Sequence, residues 1–326
     1  MGEPASVVAA WLIRAMLCAA CFVRVAAAQT APAEAPRPPE AVAAAPAPAP
    51  APLLDRLRAA SLERLADSVL PTYYPAGAER RARQLEALVA EATVYLDGQL
   101  GVQAGVTLAV LDRERWNALI TWQPYGVPGV AGRPPVAFMP LGDDGVAAQD
   151  ALAIEADVDP RVKEGLRRIG LSYAEASRRY VDLVALHELG HVYVSRLGIR
   201  PNSRWLNELL ATYVAYAFMC ERQPEAALLW GAMLDAYHGA ARPPRPSLTD
   251  FDARYFGVGP RAYVLYQAQF QRLVRQVYDA HGLAVLQRLR EAFATPSAEP
   301  HDPADVVRRL VPHFPGAQAW MQEVGR

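Results

Sequence analysis

His187-Glu188-Leu189-Gly190-His191 concentrates the chemistry of this chain. Two histidines at i and i+4 of a helix stand one above the other on the same face. Their imidazoles can then reach one ion at about 2.0–2.1 Å each. Glu188 is turned about 100° from His187. It cannot easily share the ion but can reach a water beside it. A metal that lowers the pKa of water, with a carboxylate to take its proton, is the equipment of hydrolysis.

A catalytic zinc takes three protein ligands and keeps one position open. The extension that supplies a third histidine in some such motifs is absent, because Val194 and Leu197 stand where its Gly and His would be. The next candidate is Glu208, within Arg204-Trp-Leu-Asn-Glu-Leu-Leu-Ala-Thr-Tyr213. Sixteen residues separate it from His191, and Gly198, Pro201 and Asn202 fall among them. The chain can reverse there, and an antiparallel second helix would aim Glu208 at the two histidines.

The elements that must hold these groups are mostly helical. Ser172-Tyr-Ala-Glu175 is a capping box opening a helix that runs to Leu197, with Gly198 as its C-terminal stop. Val181, Leu183, Val184, Ala185, Val192 and Val194 surround the motif, as in a buried helix. Asn202 or Ser203 caps a second helix to about Met219, and Pro260 opens a third that ends at Gly282. Leu283–Ala294 and Pro303–Val324 add further helix. Upstream, Leu53–Leu70 and Glu79–Leu100 carry apolar residues at helical spacing. Val106–Leu111 reads as a buried strand. Val136–Met139, opened and closed by prolines, reads as an edge strand that could pair with an extended peptide. Tyr125–Gly132 between them reads as a loop. The expected fold is α+β: a small N-terminal sheet with an edge strand over the active-site helix, then a mainly helical half. Helices and sheet occupy 53–171, and the site helices 172–326.

HELGH followed by WLNELLATY resembles the gluzincin metallopeptidases, the superfamily of thermolysin and aminopeptidase N, across residues 184–213. The resemblance implies a thermolysin-like helical half and one zinc ion held by His187, His191 and Glu208. It makes Glu188 the general base and peptide or protein the substrate. It also implies an oxyanion donor from a later helix. Tyr266, followed by Phe270, fits that pattern better than Tyr263 or Tyr255. The aminopeptidase N branch has a slightly longer His-to-Glu spacing and an upstream GxMEN motif that this chain lacks. Aminopeptidase specificity is therefore not implied, and short bacterial peptidase MA-like proteins are the nearer resemblance. Asn207 is a candidate for orienting substrate backbone. Asp182 lies off the ligand face. His238, His281, His301 and His313 are scattered and read as surface or capping residues.

The N-terminus reads as an address. Arg14, the apolar run Ala15–Val23 and Val25-Ala26-Ala27-Ala28 match a signal peptide over 1–28 that is cut before Gln29. The expected protein is exported, periplasmic or secreted. An uncleaved or lipidated N-terminus, the latter through Cys21, would instead keep it near a membrane. Residues 29–52 form a Pro/Ala-rich linker, with eight prolines between Ala31 and Pro52. The third cysteine, Cys220, then stands alone and forms no internal disulfide. Hydrophobic residues are 52% and charged residues 21%, which excludes wholesale disorder. Lys+Arg 33 against Asp+Glu 34 leaves no basic excess for nucleic acid. Nothing in the sequence sets the oligomeric state. The rival to a zinc peptidase is a non-catalytic cell-envelope binding module with a structural metal, although such a site needs no general base. A third reading is a hydrolase of non-peptide amides.

Overall fold

A computed structural model describes residues 51–240, 248–255, 260–293, 303–314 and 316–324. Residues 1–28, read above as a signal peptide, the expected linker except Ala51 and Pro52, and His301 lie outside the described residues. Pro52 to Arg326 form one compact unit.

Its first half mixes short strands and helices: α1 (Leu53–Ala59), β1 (Glu63–Arg64), β2 (Thr72–Tyr74), α2 (Glu79–Leu100), β3 (Thr107–Leu111), α3 (Arg113–Leu119), β4 (Gly129–Ala131), β5 (Val136–Pro140), α4 (Val146–Ala153) and α5 (Pro160–Arg168). The second half is helical: α6 (Tyr173–Arg196), α7 (Arg204–Arg222), α8 (Pro224–Ala240), α9 (Leu248–Arg254), α10 (Pro260–His281), α11 (Ala284–Phe293), α12 (Pro303–Leu310) and α13 (Ala317–Val324). Among the described residues the architecture is α+β, mostly helical, with a five-stranded sheet in the order β1-β2-β3-β5-β4. The pairs β2–β3 and β3–β5 are parallel, and the outer strands β1 and β4 are antiparallel.

Both faces of the sheet are covered, as alternation along its central strands shows. Leu108, Val110, Ala137 and Met139 enter the main core with α2, α6, α7, α8 and α10. Ala109, Leu111, Val136 and Phe138 enter a smaller core with Leu53, Leu57 and Trp116 of α1 and α3. Helix α2 is tied to α6 by the Arg81–Asp182 ion pair and by Tyr193, whose hydroxyl donates to Asp97 Oδ1 at 2.6 Å.

Three sequence expectations change. The helix expected over 53–70 stops at Ala59. Its helically spaced leucines serve opposite faces of the sheet: Leu53, Leu54 and Leu57 enter the smaller core, Leu65 and Leu70 the main one. Asp67 takes a left-handed φ of 54°, and Ser68 donates to the carbonyls of Leu65 and Leu70 instead of continuing a helix. The strand over 136–140 is internal, and the edge is β4, inside the expected loop. Pro134 and Pro135 precede β5 and Pro140 is its last residue, so the ladder on both sides survives. The expected helix 303–324 is two helices.

Candidate metal centre

Helix α6 begins with the expected capping box, in which Ser172 accepts from the Glu175 N–H and Glu175 accepts from the Ser172 N–H. It packs against β4, β5, α2 and α4, and most closely against α7. Gly190 makes that crossing. A Cβ built there would lie 2.3 Å from the Ala211 carbonyl oxygen, so a larger residue cannot be accommodated without parting the helices. His187 precedes Gly190 by about one turn and Glu208 precedes Ala211 by about one turn. His187 shares a face of α6 with Gly190 and Glu208 shares a face of α7 with Ala211, so close approach at the glycine seats those two faces against each other. The reversal between the helices uses left-handed Gly198 and Asn202, and Asp252 of α9 accepts from the first-turn N–H of Trp205 at 2.8 Å.

His187, Glu188 and His191 form a group whose ligand atoms all lie within 4.8 Å of one another, close enough to hold a metal ion. A second carboxylate lies closer to the imidazoles. Glu208 Oε2 is 3.0 Å from His187 Nε2 and 3.5 Å from His191 Nε2. A tetrahedral ion with bonds of about 2.0–2.2 Å holds its ligand atoms about 3.3 Å apart, so Glu208 Oε2 stands at ligand spacing from each imidazole. His187 and Glu208 are 3% and 2% exposed, while His191 and Glu188 keep part of their surface in solvent.

Around Glu208 the donors are dense. Tyr255 donates to Oε1 at 2.6 Å; Tyr263 and the Gln267 amide donate to Oε2 at 2.7 and 3.0 Å. Burial alone would raise the Glu208 carboxyl, but the charge of His191 and hydrogen bonds from both histidines hold it well below the usual range. For His191, burial pulls downward; the Glu208 carboxylate, with Glu188 behind it, more than reverses this and lifts it to about 9. Glu188 goes the other way. Burial pushes its carboxyl up, and the pull of both imidazoles and of a hydrogen bond from the Val130 N–H does not cancel the rise. Burial, and then the Glu208 charge, push the phenols of Tyr255 and Tyr263 up as well.

The structure thus brings His187, Glu188, His191 and Glu208 together. Tyr266 is not among them. It is fully buried, with its ring against Phe251 and Phe270, and Tyr263 stands at Glu208 instead. Tyr263 and Gln267 share one face of α10 at i and i+4, and Tyr266 is turned about 100° from Gln267. Tyr255 also reaches the site. Asp182 is committed to Arg81, and Asn207 is half-buried in the first turn of α7. Three participants had no sequence signal: Thr212, Gln267 and the Val130 N–H. A hydroxyl and an amide in apolar helices are visible, but nothing in their spacing indicates that they meet. No protein-family model, curated protein or solved structure matches this chain.

Proposed function

We propose that this protein is an exported zinc-dependent peptidase of the gluzincin type. It is the division of labour between two glutamates that supports this. Glu208 contacts both imidazoles at ligand spacing, while Glu188, on the strand side, is backed by a backbone N–H and has a raised pKa. Zinc held by His187, His191 and Glu208 would supply Lewis acidity and a water of lowered pKa. Glu188 takes the proton of the attacking water on its carboxylate. Its raised pKa suits it to hold that proton and pass it to the leaving amine. The Tyr263 hydroxyl, whose one proton goes to Glu208 Oε2 in the absence of substrate, would turn that proton to the oxyanion that develops on the scissile carbonyl.

The β4 edge is suited to an extended peptide. Val130 lies opposite Ala137 on this edge, and its backbone N–H lowers the Glu188 carboxyl in part against the rise from burial. A substrate strand added along this edge would lie beside the general base. The intact Glu188 weighs against a purely structural metal site. The test is Glu188→Gln against a peptide library. The variant should retain zinc and lose nearly all turnover; wild-type rates in it would exclude this mechanism. A wild type that binds zinc but cleaves no peptide would point to the binding module or to an amide of another class.

A further inference from the structure

Gln267 is a buried amide on α10, and both of its ends are engaged. Its nitrogen donates to Glu208 Oε2 and to the Tyr263 oxygen, each at 3.0 Å. Its oxygen accepts from Thr212 Oγ1 at 2.9 Å. The reverse orientation would set an amide oxygen against a carboxylate, so the order of atoms is fixed. Thr212 has one hydroxyl proton, and Gln267 Oε1 takes it. Toward His187 Nδ1, 3.2 Å away, the hydroxyl therefore offers only lone pairs. His187 then donates Nδ1–H to it, and Nε2 is the nitrogen left to take an ion. Nε2 is the atom that faces Glu208 Oε2. Thr212 is 0% and Gln267 5% exposed, so water does not readily replace either link.

We infer that Gln267 and Thr212 are positioning residues for the metal. Gln267 ties two ligands on different helices: it holds the Glu208 carboxylate directly, and through Thr212 it sets His187 in the tautomer that turns Nε2 to the ion. The alternative is that these two polar residues only satisfy each other inside the core. In that case their loss would lower stability and leave metal affinity alone. The inference rests on the three-ligand site proposed above.

Thr212→Val removes the hydroxyl at constant shape, Gln267→Met removes both polar ends at similar length, and Thr212→Ser keeps the hydroxyl. Zinc affinity of the full chain is measured by chelator competition, with circular dichroism to check that each variant is folded. Groups that hold metal ligands in place typically contribute 10–100-fold in metal affinity. Thr212→Val and Gln267→Met should each weaken zinc by about that factor, and Thr212→Ser should retain it. Long-range 1H–15N spectra of the zinc-loaded wild type should place the His187 proton on Nδ1. Wild-type affinity in both Thr212→Val and Gln267→Met, or a His187 proton on Nε2, would overturn the inference and leave the metal site standing. A wild type that takes up no zinc would overturn the proposed function and this inference with it.

Discussion

Gly190→Ala tests how the two ligand helices are held together. The added methyl would meet the Ala211 carbonyl oxygen at 2.3 Å and its Cα and carbonyl carbon at 2.9 Å. All three are backbone atoms, so no side chain can swing aside. The contact has to open from 2.3 Å to at least 3.0 Å, which moves α7 against α6 by about 0.7 Å. In an exposed helix the same substitution would be stabilising, because alanine exceeds glycine in helix propensity by ~1 kcal/mol. Overpacking costs ~1–3 kcal/mol, and a rigid backbone contact belongs at the upper end. The expected net is a loss of ~2 kcal/mol, or roughly 4–8 °C in Tm. Displacing Glu208 by that amount exceeds the ~0.2 Å tolerance of a metal site. Zinc affinity should fall at least tenfold. Gly98→Ala, on α2 with open space around its Cβ, is the control and should stabilise by ~0.5–1 kcal/mol. Thermal unfolding and chelator competition read both quantities. A Gly190→Ala protein as stable as wild type, with unchanged zinc affinity, would refute the helix crossing as the device that sets the site.

Tyr263→Phe, assayed with zinc in excess because the same hydroxyl also holds Glu208, should lower kcat by about 10²–10³, the usual loss for one oxyanion donor; Tyr266→Phe should leave turnover unchanged, and the reverse result would restore Tyr266 to the site. In chelator-treated protein, His191 has a folded pKa of about 9 against about 6.5 unfolded. Its contribution to stability is therefore complete below about 6.5 and lost as pH rises through about 9. Urea titrations from pH 6 to 10 should show that decline, and His191→Gln should flatten it; an unchanged slope in the variant would contradict the pairing with Glu208. Ser172→Ala should cost ~1 kcal/mol through loss of the capping box. It should leave zinc affinity unchanged, since the cap lies about four turns from His187.

The candidate ligand residues were legible because they obey local rules. A spacing of four puts two histidines on one helical face whatever surrounds them. Gly198 and Asn202 announced the reversal that brings Glu208 back, and both adopt left-handed φ. The choice among the tyrosines was not legible, because Tyr263 and Tyr266 lie three residues apart on one helix. Which of them faces Glu208 depends on the rotation of α10, and that is set by packing of Phe251 from α9 against Tyr266. Edge and interior of the sheet exchanged places for a similar reason. Three-residue β4 is a strand only through its ladder with β5, and a glycine-rich segment carries no period-two signal of its own. The Thr212–Gln267 link joins residues 55 apart, beyond any local pattern.

The most direct test of the central claim is the zinc content per chain of the wild type beside Glu208→Ala and Glu188→Gln. Glu208 as third ligand and Glu188 as general base predict close to one zinc in the wild type and in Glu188→Gln, and much less in Glu208→Ala. Zinc retained by Glu208→Ala and lost from Glu188→Gln would exchange the two roles. No zinc in the wild type would contradict the metal centre itself.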